Sequence, residues 1–264
     1  MNFNDIQNDL GHIWTNFQDK FQSALDSPIT LIDDVNHYQY SNGGKRIRPM
    51  LLLLSAATIG NSSRCTSDLA VAVELLHNAS LMHDDVVDDD LIRRGQPSIH
   101  CKWNTHVALL TGDYYLAKVM QLLLSVEDRM ATETLSGTVI SMTEGELIQQ
   151  QFSTQPVLDT TTYCDIIHRK TATLMAACCK LGACGTEMDT QDWASKLFNF
   201  GIHYGMAFQL RDDLNDRSDS DNLPDQETIY KLLINEISAG IDALTLLPNN
   251  IFSNHLSNLI KQLQ

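Results

Sequence analysis

The stretch HNASLMHDDVVDDDLIRRG, residues 77–95, decides how this chain is read. Its centre is Asp84-Asp85-Val86-Val87-Asp88, two aspartates followed one helical turn later by another. An α-helix repeats every 3.6 residues, so Asp84 and Asp88 share a face, about 6 Å apart along the axis. Far along the chain the pattern returns as Asp212-Asp213-Leu214-Asn215-Asp216. Carboxylates at i and i+4 repel unless a cation or water lies between them. A single acidic run is what a solvated helix end looks like. Two runs, each at the C-terminal end of an apolar helical segment, point instead to a negative cavity suited to Mg²⁺ and a phosphate ligand.

The surrounding sequence reads as helix. Phe3, Ile6, Leu10, Trp14, Phe17, Phe21 and Leu25 recur at spacings of three and four, predicting one amphipathic helix. Ser41-Asn42-Gly43-Gly44 is a break, and a helix follows from about Arg48-Pro49 to Asn61. Thr66 or Ser67 is expected to cap the helix that carries Leu69 to Met82 into the first cluster. Further helices are predicted over about 103–125, 127–152, 158–181, 189–216, 226–243 and 252–262, with almost no strand. The fold expected is all-α: a bundle of about ten helices around a large central cavity, one domain over 1–264. No low-complexity tract or 20–50-residue repeat interrupts it.

Bulk properties exclude several classes. The net charge is −15 and the pI about 4.8. No generic nucleic-acid or anionic-membrane surface follows from that balance. The start, MNFNDIQNDL, lacks the basic and apolar parts of a signal peptide, and Pro49–Ile59 is too short to span a bilayer. No transmembrane segment and a cytoplasmic location are therefore expected. The six cysteines show no CxxC spacing and read as reduced and mostly buried.

Gly43-Gly44-Lys45-Arg46-Ile47-Arg48-Pro49 places cations at a helix start, where the helix dipole also favours an anion. It is either a phosphate site or a basic loop in an acidic protein. Taken in order, GGKRIRP, HNASLMHDDVVDDDLIRRG, Gly112-Asp113, Gly145-Glu146, Lys170-Thr171 and FQLRDDLND resemble the motif series of the trans-isoprenyl diphosphate synthases, the polyprenyl synthetase family. The resemblance covers about Gly43 to Asp216. It implies the isoprenoid synthase fold, a homodimer, and head-to-tail condensation of isopentenyl diphosphate onto an allylic diphosphate of geranyl or farnesyl type.

The resemblance also assigns residues. About three Mg²⁺ ions would be held by Asp84, Asp88 and Asp212, with Asp85, Asp213 and Asp216 acting nearby or through water. Arg93 and Lys170 would hold the allylic diphosphate, and Lys45, Arg48, His77 and Arg94 the isopentenyl diphosphate. Lys170, Thr171 and Gln209 would stabilise the allylic cation. His77 precedes Asp84 by seven residues, two turns and about 10 Å away on the same face. In the family these positions floor the product tunnel, so the small Ala79 and Ser80 imply an open tunnel and a product of C20 or longer, with Leu76, one turn deeper, as a partial stop.

The chain departs from the family after Asp216. Where members carry a lysine-containing loop, Arg217–Pro224 is acidic, and the only later lysines are Lys231 and Lys261. The C-terminal region is short. Two alternatives follow: a non-elongating terpenoid enzyme, either a cyclase or a transferase to another acceptor, and a weakly active subunit of a heteromeric synthase.

Overall fold

Apolar side chains recurring at helical spacing are buried along most of the chain, and the fold is built from them. The computed structural model describes residues 3–40, 44–61, 63–155, 157–186, 190–216 and 222–264. The elements are α1 (Phe3–Leu10), α2 (His12–Leu25), α3 (Thr30–Tyr40), α4 (Ile47–Thr58), α5 (Cys65–Val87), β1 (Ile92–Arg93), β2 (Gln96–Pro97), α6 (Ile99–Lys102), α7 (Thr105–Val126), α8 (Arg129–Phe152), α9 (Thr160–Ile167), α10 (Thr173–Leu181), α11 (Thr190–Asn215), α12 (Gln226–Leu244) and α13 (Ile251–Lys261). One π-helical turn, His168–Ala172, joins α9 to α10.

The chain forms two compact units. The first comprises residues 1–10, 50–66 and 128–264. Here α11 lies between α10 and α12, and α8 packs on the π turn and α10. The second comprises residues 11–49 and 67–127. Its aromatic core runs from Trp14 through Phe17 to Phe21, whose ring meets Tyr40 edge-on at 5.1 Å. The Tyr115 hydroxyl donates to Asn36 Oδ1 at 2.6 Å, tying α7 to α3.

Four expectations change. The first predicted helix is two, because Gly11 takes φ 53° and breaks it, although Ile6, Leu10, Trp14, Phe17, Phe21 and Leu25 are all buried. α3 was not anticipated, since Thr30–Tyr40 buries only Val35 and Asn36 and so shows no apolar stripe. α5 starts at Cys65, ahead of the predicted cap, with the Ser63 hydroxyl accepting from the Cys65 N–H at 3.4 Å. A hairpin, β1–β2, follows the first aspartate cluster. Its two-residue turn is Arg94-Gly95, with φ 52° and 76°, the doubly left-handed conformation that matches strand twist.

All six cysteines are free, but only Cys178, Cys179 and Cys184 are buried. Among the described residues α7 is the one helix long and apolar enough to cross a membrane by length and composition, with 33% of that window buried. The apolar run at Pro49–Ile59 lies mostly in α4, which is too short to span, as expected.

Candidate active site

In the second unit, α5 is buried nearly all round. Leu69 to Val73, Leu75, Leu76, Ala79 and Met82 are core. Its partly open residues include His77, Ser80, Leu81, Asp84 and, just past the helix end, Asp88, and towards the last turn His83, Val86 and Val87 open as well. His77, Ser80, Leu81, Asp84 and Asp88 step by three and four, so they share one helical face. Leu76 and Ala79, at 2% and 0% exposure, lie off it, while Ser80 is on it and donates to the His77 carbonyl at 2.9 Å.

The aspartates close the helix. Asp88 N–H still reaches the Asp84 carbonyl at 2.8 Å, and Asp90 N–H reaches Asp85 at 3.0 Å. Between them Asp89 adopts φ 52°, the left-handed residue usual at a helix C-terminus. Asp85 is buried, and Arg93 from β1 covers it: Nε donates at 2.6 Å, and Nη2 bonds both Asp85 and, at 2.8 Å, Asp90. Burial pushes the Asp85 carboxyl up, and Arg93 opposes that shift.

Two turns back, Arg48 Nη1 lies 2.9 Å from His77 Nε2. Arginine can only donate, so Nε2 accepts and Nδ1 carries the proton. Burial first, then Arg48, Arg94 and Arg93, hold the imidazole well below its usual 6.5, so it is neutral. Arg94, at the hairpin turn, turns its guanidinium towards Gly44 at the start of the basic loop, 3.5 Å from where a Cβ would be. Adjacent arginines thus serve opposite places: Arg93 the aspartates, Arg94 the basic loop. Lys45 is exposed beside Gly44, and Gly43 lies outside the described residues.

Sequence reasoning missed two groups here. Arg46 takes φ 47° and lies 4.8 Å from the centre of the Phe21 ring, which anchors the loop. Glu74, 4% exposed, sits in the field of Arg48, Arg46 and Arg94; burial raises its carboxyl against their pull.

In the first unit, Lys170 and Thr171 stand in the π turn. There the Thr173 N–H bonds back to His168 rather than Arg169, widening the helix, a distortion common at functional sites. Gly145 on α8 and Gly205 on α11 allow close approach: a Cβ would come within 2.9 Å of Lys170 N and 2.5 Å of Ala172 Cα respectively. Lys170 Nζ pairs with Glu146 at 2.6 Å and with Gln149 Oε1 at 3.2 Å. Thr171 Oγ1 donates to Gln209 Oε1 at 2.9 Å, and Gln209 Nε2 donates to Asp213 Oδ1 at 2.8 Å. Tyr163, another residue missed from sequence, donates to Asp213 Oδ2 at 2.5 Å.

A cavity of about 590 Å³ is lined by Gln149, Lys170, Thr171, Gln209, Asp213 and Asp216, among others. It brings Asp213 and Asp216 of the second cluster together with the three predicted catalytic residues; Asp212 is not among its lining residues. Asn222 and Leu223 also line it, with Asn222 O accepting from Leu158 N–H at 2.7 Å. Arg217–Asp221, where the family's lysine loop was expected, lie outside the described residues.

Among the described residues, no group of three or more His, Cys, Asp or Glu side chains is gathered as a metal nest. The donors at each cluster are carboxylates in i, i+4 pairs. That set fits Mg²⁺, which takes one or two carboxylates and completes its shell with water and substrate phosphate.

This architecture, helices throughout with acidic pairs at two helix ends, is the isoprenoid synthase fold. It is shared with a decaprenyl diphosphate synthase of Rhodobacter capsulatus (TM-score 0.87, 24% identity, 99% of this chain and 98% of that one). A geranylgeranyl pyrophosphate synthetase of Pyrococcus horikoshii gives TM-score 0.87 at 23% identity, covering 99% of this chain and 98% of that one. The polyprenyl synthetase family model matches residues 29–236, and the chain belongs to that family. It is 34% identical over 223 residues to a geranylgeranyl diphosphate synthase of Methanosarcina mazei, covering 80% of this chain and 66% of that relative. It is 35% identical over 197 residues to heptaprenyl diphosphate synthase component 2 of Bacillus subtilis, covering 75% of this chain and 56% of that relative. The chain thus spans less than two thirds of the length of these curated relatives.

Proposed function

We propose that this protein is a Mg²⁺-dependent trans-prenyltransferase that condenses isopentenyl diphosphate head-to-tail onto an allylic diphosphate and releases a product of C20 or longer. The observation that carries the reading is the open stripe of α5, where a neutral histidine bonded to Arg48 stands two turns from a carboxylate pair. Cationic and carboxylate sites on one rigid helix suit two diphosphates bound at a fixed separation.

In this reading Lys45, Arg48 and Arg94 bind the isopentenyl diphosphate, and His77 offers its Nδ1–H. Arg93 and Lys170 attend the allylic diphosphate. Asp84 and Asp88 of the first cluster, with Asp85, and Asp212 of the second, with Asp216, are the residues that would hold Mg²⁺, which would supply neutralisation of the leaving diphosphate. The Thr171 hydroxyl spends its proton on Gln209, which leaves oxygen lone pairs for the allylic cation. The isopentenyl double bond attacks that cation, and the released diphosphate takes the proton that is lost. Ser80, small and on the open stripe, leaves room for a growing chain.

We also propose one catalytic domain acting as a homodimer. The support is the exposed apolar stripe of α7, where Leu110, Met120 and Leu124 are 65–77% exposed. One observation favours a second reading: two relatives are named as component 2 of a heptaprenyl synthase, from Bacillus subtilis and Geobacillus stearothermophilus. A heteromeric partner is the alternative occupant of that stripe.

The test is incorporation of labelled isopentenyl diphosphate by wild type and by Asp84→Ala. Elongation by wild type, lost by orders of magnitude in the variant, supports the reading; near-normal turnover in Asp84→Ala refutes the metal assignment.

A further inference from the structure

The chain Thr171–Gln209–Asp213 ends on a residue that no motif points to. Tyr163 is 1% exposed, on α9, between a helix start fixed by Asp159 and the buried pair Ile166 and Ile167. Asp159 accepts from the Thr161 and Thr162 N–H groups at 3.0 Å each, so the first turn of α9 is set. Each Asp213 oxygen then receives a donor from a different helix: Tyr163 OH at 2.5 Å from α9 and Gln209 Nε2 at 2.8 Å from α11 itself. A carboxylate held at both oxygens is fixed about its terminal torsion.

We propose that Tyr163 is a positioning residue for the second carboxylate cluster, fixing Asp213 so that the cluster binds magnesium diphosphate in register with Gln209 and Thr171. The inference rests on the function proposed above. Without the phenol hydroxyl, Asp213 loses the bond that holds Oδ2 and is less fixed beside the other carboxylates of its cluster. Outer partners of metal-binding carboxylates are worth about 10–100-fold in affinity.

The experiment is calorimetric binding of inorganic diphosphate in the presence of Mg²⁺, for wild type, Tyr163→Phe, Asp213→Ala and the double variant. Tyr163→Phe is expected to weaken binding about tenfold, with the KM for isopentenyl diphosphate within twofold of wild type. In the double variant, Tyr163→Phe is expected to add nothing to Asp213→Ala, because it acts through that carboxylate. Two results would overturn the inference alone: wild type binds, and Tyr163→Phe binds as well with only a lowered melting temperature; or the two losses simply add. A wild type that binds no magnesium diphosphate would overturn the function and this inference together.

Discussion

His77 shows what burial beside arginines does to one side chain. Below about 6.5 the unfolded chain takes up a proton that the folded imidazole refuses. Stability therefore falls as pH falls through that value, by up to about 1.4 kcal/mol per pH unit for a whole proton. His77→Gln is expected to remove that slope between pH 5 and 6.5 in urea titrations; an unchanged slope would mean the histidine is not held neutral. Arg93 makes the complementary case. Removing it leaves Asp85 buried without its cation, and Arg93→Ala is expected to cost about 2 kcal/mol at pH 7, below the full buried-pair value because the arginine is 31% exposed. With the carboxyl's pKa already raised by burial, protonation in acid relieves that charge. The loss should shrink by pH 4.5, and a loss constant with pH would contradict this. Neither effect was legible in the sequence. His77 and Arg93 could be named from their motifs, but a hydrogen bond from Arg48 or a covered Asp85 depends on how α4, α5 and the hairpin meet.

At the level of elements, α5 and its hairpin carry most of the residues assigned to the proposed diphosphate sites. The periodicity of Leu69 to Met82 made the helix legible, and the i, i+4 rule put Asp84 and Asp88 on one face. The hairpin was not legible, because strands of two residues carry no alternation to read. Its turn places Arg94 at φ 52°, where glycine is favoured. Arg94→Gly should stabilise the fold by roughly 0.5–1 kcal/mol in thermal melts while raising the KM for isopentenyl diphosphate about tenfold. Unchanged KM would remove Arg94 from that site. The tunnel residues also separate here. Ala79 is fully enclosed, so an aromatic there overpacks the core, whereas Ser80 is open. Ser80→Phe is the cleaner substitution, expected to shift the product to shorter chains; the same product distribution would place the tunnel elsewhere. The π turn at His168–Ala172 also escaped the sequence, which read one continuous helix, since nothing in HRKTA breaks helical spacing.

For the whole molecule, the all-α class was legible because apolar residues at helical spacing recur from Ile6 to Leu263, and packing only decided where each run breaks. The outward face of α7 is what spacing did not show. α7 has the apolar content of a core helix yet turns Leu110, Met120 and Leu124 outward. A patch of that kind is expected to meet a second copy of the chain. Light scattering should give twice 29.6 kDa for wild type, and 29.6 kDa for Leu110→Glu with Leu124→Glu. An unchanged mass in the double variant would show the stripe is not the contact, and a monomeric wild type would favour the component reading.

The most direct measurement is product mass. Purified protein is incubated with Mg²⁺, isopentenyl diphosphate and, separately, geranyl and farnesyl diphosphate, and the dephosphorylated products are weighed by mass spectrometry. The account predicts trans-prenyl products of C20 or longer from at least one primer. Unextended primer in every reaction would contradict it.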